Sequence, residues 1–183
     1  MAQNRSSAVM QQRKEPHDSL DDFPTPPWAT RALLEFLSSQ GHKLEGQTCR
    51  EPAANRGFMV RPLREAFGGV IASDVHDYGL GFPVRDYLFG PLAHLELSDW
   101  TITNPPFRLA EPFIERALAL SARGTAIFIR SAFLEGVGRH ERLFSSRPPT
   151  DVLQFSERVV LHKGRLAPEG STATAYCWLV WQK

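Results

Sequence analysis

Apolar residues recur at helical spacing in three stretches of the chain. The first begins at Trp28 and carries Ala29, Ala32, Leu33, Phe36 and Leu37. With the glycine that follows as a stop signal, this spacing predicts a helix over residues 28–39. Residues 60–67 and 109–122 show similar spacing, and Pro112 suits the first turn of the later helix. The pattern therefore predicts three helices.

Short apolar runs of strand length separate and follow these helices. They are a strand beginning at Thr48, then residues 70–74, 100–103, 124–130, 152–155 and 173–181. Residues 124–130 are almost entirely apolar, which is typical of a buried central strand. Strands alternate with helices up to Ile129, and two β segments follow. This order predicts an α/β fold with a Rossmann-like, seven-stranded, mostly parallel sheet and an antiparallel edge strand.

Length and composition favour one globular domain. The chain has 183 residues, of which 42% are hydrophobic and 22% are charged. No apolar run is long enough for a membrane span, and no signal-peptide core precedes the domain. Residues 1–19 are polar and aperiodic, so we expect a flexible tail before a single domain at 20–183. Cys49 and Cys177 form neither a disulfide framework nor a metal motif, which favours a cytoplasmic protein without bound metal.

The net charge of +1 conceals a difference between the two halves of the chain. Residues 1–100 carry 10 Lys and Arg against 13 Asp and Glu, whereas residues 101–183 carry 11 against 7. The second half is therefore the better candidate for contacting a phosphate backbone. Within it, the basic loop at residues 158–165 is equally well explained as a solvated hairpin or as a phosphate contact.

The segment Asn104-Pro105-Pro106-Phe107 directly follows a predicted strand. The prolines end that strand, because proline donates no ladder hydrogen bond and restricts the residue before it. The turn therefore lies at the carboxyl edge of the sheet, where ligands of open α/β sheets bind. An exposed carboxamide, prominent carbonyls and an aromatic ring suit a planar group that carries an NH2.

This segment resembles the catalytic motif of amino-methyltransferases that use S-adenosylmethionine, and the predicted sheet is similar to that of class I methyltransferases. The resemblance implies that the Asn104 side-chain oxygen and the Pro105 carbonyl each accept one N–H of an exocyclic amine. The amine lone pair is then directed at the sulfonium methyl group. Pro106 stiffens the turn, and Phe107 would stack on a base that has left its helix.

A second resemblance covers the strand and loop that begin at Thr48. Glu51-Pro52-Ala53 is similar to the first methyltransferase motif, which implies that Glu51 lies near the methionine part of the cofactor. Ala53 and Gly57 would leave room for the ligand. The family has a small residue and then glycine where this chain has Ala54 and Asn55. Asparagine tolerates positive φ better than other non-glycine residues, so the turn is expected to form with Asn55 beside the cofactor.

Three further segments complete the expected cofactor site. Thr25 and Pro26 resemble a motif that holds the methionine end of the cofactor in adenine methyltransferases. Asp74 ends the next predicted strand, which is the place of the carboxylate that binds ribose hydroxyls, and Val75 would lie under the adenine ring. Asp86 and Tyr87 resemble the third motif, in which the acid accepts from the adenine amino group.

The resemblance implies methyl transfer to adenine N6 in DNA, by a small enzyme of the kind found in phages and prophages. Alternatives are an RNA, a cytosine N4 or a protein glutamine acceptor, or a non-catalytic binding protein whose cofactor loop is degenerate at Ala54-Asn55. Cytosine carbon-5 chemistry is excluded because neither Cys49 nor Cys177 has the Pro-Cys setting of its nucleophile. Without a separate target-recognition domain, specificity would come from residues 134–147 and 158–168 or from a protein partner.

Overall fold

The computed structural model describes residues 20–92, 96–166, 170 and 172–183; the predicted tail at 1–19 lies outside them. Its helices are α1 (Pro27–Ser39), α2 (Val60–Ala66), α3 (Ala110–Leu120) and the short α4 (Val137–Arg139). Its strands are β1 (Thr48–Glu51), β2 (Gly69–Ala72), β3 (Ser98–Thr103), β4 (Ser121–Arg130), β5 (Asp151–Gln154) and β6 (Tyr176–Gln182). The three predicted helices and six predicted strands are confirmed within a few residues.

The strands form one sheet in the order β2-β1-β3-β4-β6-β5. The first four are parallel, whereas β6 is antiparallel to both β4 and β5. The mostly parallel sheet and its antiparallel edge are therefore confirmed. Since β1, β2 and β3 run in the same direction, their carboxyl ends meet at one edge of the sheet.

The sheet has six strands in the described residues, one fewer than predicted. Beyond β2 the chain makes one isolated parallel bridge, between Asp74 and Val84. This edge bears exposed apolar side chains, including Val84 at 62% and Leu80 at 51% exposure. The segment 79–83 supplies two glycines and a proline, which favour turns over a continued ladder.

Alternating strand residues pack against helices on both faces of the sheet. One face carries Trp100, Phe128 and Trp178, which pack with residues of α1 and α2. The other carries Ile127 and Leu179, which pack with residues of α3. The central strands are buried on both sides, and this rigid layer positions the loops at its carboxyl edge.

The segment 134–147, one of the two expected sources of target specificity, is partly helical. It contains α4 and one π-helical turn, His140–Phe144. Leu143 in this turn is only 2% exposed and packs in the same core cluster as Ile127 and Leu179, on the α3 face of the sheet.

Among the described residues, no cluster of His, Cys, Asp and Glu could hold a metal ion. The helices found there are also too short or too polar to cross a membrane.

Candidate cofactor and acceptor site

A cleft opens at the carboxyl edge of the sheet, where β1, β2 and β3 end. Its empty volume is about 870 Å³, including its open mouth. Most of the predicted site residues line it: Thr25, Glu51, Ala53, Asn55, Asp74, Val75, Asp86, Tyr87, Asn104 and Pro106. The sequence motifs, although spread over some eighty positions, thus meet at one site.

Four predicted site residues lie outside the cleft lining. Pro26 caps the start of α1, and Pro105 is buried in the turn. Gly57 has a φ of 72°, and a Cβ there would approach the Phe82 ring at 3.2 Å. The positive φ and the closeness of Phe82 both favour glycine at this position. The fourth residue, Phe107, packs elsewhere.

Asn55 occupies the left-handed turn that the family fills with glycine. Its φ is 48°, and it is the only non-glycine residue with positive φ among the described residues. Its side chain is held at both ends: Nδ2 donates to Asp22 at 2.8 Å, and Oδ1 accepts from the Arg56 N–H at 2.6 Å. The expected turn is confirmed, and these two bonds fix the direction of the amide.

Asp74 follows β2 and is only 8% exposed. Its Oδ2 accepts from the Asn55 N–H at 2.8 Å, and its Oδ1 accepts from the His76 N–H at 2.9 Å. Each carboxylate oxygen can accept a further hydrogen bond. The side chain therefore organises the loop after β1 and still has capacity for hydroxyl donors of a ligand.

Glu51 ends β1 and is fully buried. Its Oε1 accepts from the Ala53 N–H at 2.9 Å and from the Thr103 hydroxyl at 2.6 Å. Its Oε2 has no hydrogen-bond partner among the described residues. Burial, with a smaller contribution from the nearby Asp74 charge, raises the pKa of Glu51 to about 8. A cationic group that reached Oε2 would favour the ionised form.

Asn104 follows β3, and its amide is held in one orientation. Nδ2 donates to the Phe23 carbonyl at 2.9 Å and to Thr25 Oγ1 at 3.0 Å. Because a carbonyl can only accept, the NH2 group must face Phe23. Oδ1 is buried and has no partner among the described residues. The turn thus supplies an oriented acceptor atom at the cleft.

Phe107, the aromatic residue of the turn, does not line the cleft. The Phe107 ring lies 5.8 Å from Phe23 and 6.1 Å from Tyr176, centroid to centroid. The guanidinium carbon of Arg130 lies 4.3 Å from the centre of the same ring. The backbone N–H of Phe107 donates to Asp21 Oδ2 at 2.7 Å. A base that stacked on Phe107 would compete with these neighbours.

The segment of the expected third motif folds over the side of the cleft. Asp86 is exposed, and its Oδ1 accepts from the Leu88 N–H at 2.9 Å. Tyr87 is buried against Phe113, and burial raises its pKa to about 12, so its phenol stays neutral. Both residues line the cleft, but only Asp86 has a carboxylate to accept from a ligand amine.

Several cleft residues have no counterpart in the sequence motifs. The most informative are Asp21, Phe23 and Tyr78. Phe23 and Asp21 hold the turn that follows β3, which lies more than eighty positions later in the chain. The only signal near these residues was the resemblance at Thr25 and Pro26, and it did not indicate which later residues the segment contacts.

Neither the protein-family models nor the curated proteins include a match for this sequence. Solved structures do match it. A proposed RNA methyltransferase from Pyrococcus horikoshii superimposes with a TM-score of 0.64 at 19% identity, over 93% of this chain and 91% of that one. A proposed class I S-adenosylmethionine-dependent methyltransferase from Listeria monocytogenes gives 0.65 at 11% identity, over 90% and 62%.

A third similar structure is a modification subunit of a proposed type I restriction enzyme from Vibrio vulnificus. It gives a TM-score of 0.62 at 16% identity, over 88% of this chain and 44% of that one. The chain thus spans less than two thirds of the second and third of these proteins. At such identities the similarity concerns the fold alone, and the fold of this chain is similar to those of these proposed methyltransferases.

Proposed function

We propose that this protein transfers the methyl group of S-adenosylmethionine to an exocyclic amine, with adenine N6 in DNA as the favoured acceptor. The observation that carries the proposal is the Asn104 amide, whose NH2 is consumed by Phe23 and Thr25 while Oδ1 remains an acceptor. The lone pair of an exocyclic amine is delocalised into the ring. An acceptor of this kind is needed because hydrogen bonds from the N–H groups pull the nitrogen toward a tetrahedral shape and make the lone pair available.

The residues of the cleft suit the proposed cofactor. Glu51 Oε2 is a buried oxygen without a partner, and it suits the amino group of a methionine moiety. Asp74 follows β2, where a carboxylate suits ribose hydroxyls, and Val75 beside it is 55% exposed and offers an apolar surface. When bound, S-adenosylmethionine supplies an electrophilic methyl group on a cationic sulfur.

In the proposed reaction, Asn104 Oδ1 accepts one N–H of the acceptor amine, and the Pro105 carbonyl accepts the other. The nitrogen lone pair then forms the new C–N bond as the C–S bond breaks, and the nitrogen loses one proton to water. Positioning and electrostatic stabilisation carry this mechanism, without a covalent intermediate on the protein. The two turn oxygens also stabilise the positive charge that develops on the nitrogen.

Adenine in DNA is favoured by the Asn-Pro-Pro-Phe motif, and a solved relative in fold is a restriction-modification subunit. A second candidate is an RNA acceptor, which the archaeal RNA methyltransferase with nearly the same length supports. In both cases the base must leave its stacked position, at a cost of a few kcal/mol. We further propose a cytoplasmic location and the single-domain organisation at residues 20–183.

The test is transfer of a tritiated methyl group to double-stranded DNA, single-stranded DNA, RNA and a glutamine-containing peptide. Label in adenine N6 of DNA supports the proposal, and label in RNA selects the second candidate. Calorimetry with the cofactor separates an inactive binding protein from an enzyme. No transfer to any acceptor by a protein that binds the cofactor would contradict the proposed activity, and no binding would contradict the cofactor.

A further inference from the structure

Arg130 is the last residue of β4 and lies beside the turn that follows β3. It is exposed, and its guanidinium carbon lies 4.3 Å from the centre of the Phe107 ring. Among the described residues it makes no ion pair, although five other arginines do. The contact with the Phe107 ring is therefore the principal interaction of the Arg130 side chain among the described residues.

Two other arginines, Arg123 near the opposite end of the same strand and Arg139, differ from Arg130 in their partners. Arg123 pairs with Asp99, Nε to Oδ1, at 3.1 Å. Arg139, which also lies over an aromatic ring, donates to Glu111 and to the carbonyls of Phe133 and Glu135. The guanidiniums of Arg123 and Arg139 donate to protein oxygens. The Arg130 guanidinium lies over an aromatic ring and is otherwise exposed to solvent.

This inference rests on the proposed function. We infer that the Arg130 guanidinium occupies the face of Phe107 on which the target base stacks, and that it binds a phosphate when a nucleotide enters. A planar guanidinium stacks on aromatic faces and also binds phosphate through two parallel hydrogen bonds. The substrate class is then a nucleic-acid strand with a charged phosphodiester beside the target base. A peptide amide would provide no such anion.

The relative strengths of the two ring contacts support this exchange. An exposed cation–π contact is weak, and stacking of a base on an aromatic side chain is stronger. A base therefore displaces the guanidinium, which keeps its charge and swings on a flexible stem. In the free protein the same contact covers part of the Phe107 ring and keeps it from solvent.

The test measures binding, so it does not depend on turnover. A fluorescein-labelled oligothymidylate with one central adenine, and its ribonucleotide counterpart, are titrated with the protein from 50 to 300 mM NaCl, about the range in which salt slopes are informative. Loss of one phosphate contact to a single strand lowers the slope of log K against log salt by about 0.7. Arg130→Ala is expected to show this loss, Arg130→Lys to retain most of the slope, and Arg123→Ala to match wild type.

A neutral methylphosphonate next to the adenine provides a second measurement on the unmodified protein. It is expected to weaken wild-type binding and to leave Arg130→Ala binding unchanged, because the two changes remove the same contact. Additive effects, an unchanged slope for Arg130→Ala, or no oligonucleotide binding would each overturn the inference. Methyl transfer to a peptide without oligonucleotide binding would overturn it while leaving amine methylation in place.

Discussion

The loop after β1 and the turn after β3 each hold an asparagine against the same N-terminal segment, residues 20–25. Asn55 gives its NH2 to Asp22 and its oxygen to the Arg56 N–H. Asn104 gives its NH2 to Phe23 and Thr25, and its oxygen has no partner among the described residues. The same side chain is thus structural in one place and available for chemistry in the other.

The hydrogen-bond partners of the two amides show how a structural amide differs from one that is available to a ligand. An amide whose donor and acceptor ends are both engaged by the protein fixes a loop conformation. An amide anchored only through its NH2 presents an oriented oxygen, and a buried acceptor without a partner costs stability unless a ligand satisfies it. Glu51 joins the two regions, because its Oε1 binds both Ala53 of the loop and Thr103 before the turn.

The largest effect is expected from Asn104→Ala. Removing one preorganised polar contact to a reacting group typically costs about 10²–10³-fold in kcat, and we expect a loss of this size in methyl transfer. Cofactor affinity should change little, which calorimetry would verify. Thr25→Val removes one anchor of the amide and leaves Phe23, so it should cost far less in kcat; because Thr25 also lines the cleft, the cofactor affinity of this variant is measured as well. Equal losses in both variants would show that the turn is merely misfolded.

The second effect concerns pH and the buried Glu51. Its pKa of about 8 in the folded protein lies above its ordinary value of 4.5, so the folded state keeps a proton that the unfolded state releases. Stability should therefore fall as pH rises from about 5 to 8, by up to about 1.4 kcal/mol per pH unit. Glu51→Gln should remove this slope, as denaturant unfolding at pH 6 and pH 8 would reveal.

The same carboxyl also predicts proton release on cofactor binding. At pH 7 the free protein holds Glu51 mostly protonated, and a cationic ligand at Oε2 would favour the ionised form. Calorimetric titrations in two buffers of different ionisation enthalpy should then differ for wild type and agree for Glu51→Gln. Identical wild-type heats in the two buffers would place the ligand cation elsewhere.

Asp74→Ala tests the cofactor half of the comparison with a smaller effect. It removes the acceptor of the Asn55 and His76 N–H groups as well as the proposed ribose ligand. We expect cofactor binding to weaken by about 1–3 kcal/mol. Asp77→Ala is the matched control, because Asp77 accepts from the Gly79 N–H in the same loop but does not line the cleft. Unchanged affinity for Asp74→Ala would remove it from the site.

Local chemistry explains which parts of the fold the sequence could predict. Two prolines after an apolar strand allow little except the turn that holds Asn104, and asparagine is the residue best able to replace glycine at position 55. Because β4 is buried on both faces of the sheet, its sequence is a nearly continuous apolar run, which predicts a central strand. These signals lie within a few residues, so the three longer helices and the six strands followed from them, whereas most of the predicted site residues came from the family resemblance.

Contacts between distant segments could not be predicted in the same way. The anchors of Asn104 lie 81 and 79 positions earlier, and nothing near Phe23 or Thr25 indicates a partner. Arg130 lies over Phe107 because β4 ends beside the turn, which depends on the strand order. The seventh strand was expected from the alternation of strands and helices, whereas a single bridge at Val84 is what the local turn residues permit.

The smallest effect is expected at Asn55, and it sharpens the contrast with Asn104. Asn55→Gly keeps the left-handed turn at lower conformational cost while losing the bonds to Asp22 and Arg56, so we expect stability to change by less than about 1 kcal/mol. Asn55→Ala loses the same bonds and also strains a positive φ, which costs about 1–2 kcal/mol more. Thermal unfolding and cofactor titration of both variants would measure this. If the loop is a scaffold, Asn55→Gly should bind the cofactor as wild type does; a loss as large as that of Asp74→Ala would mean that the Asn55 amide contacts the ligand, and the two asparagines would then differ in position rather than in role.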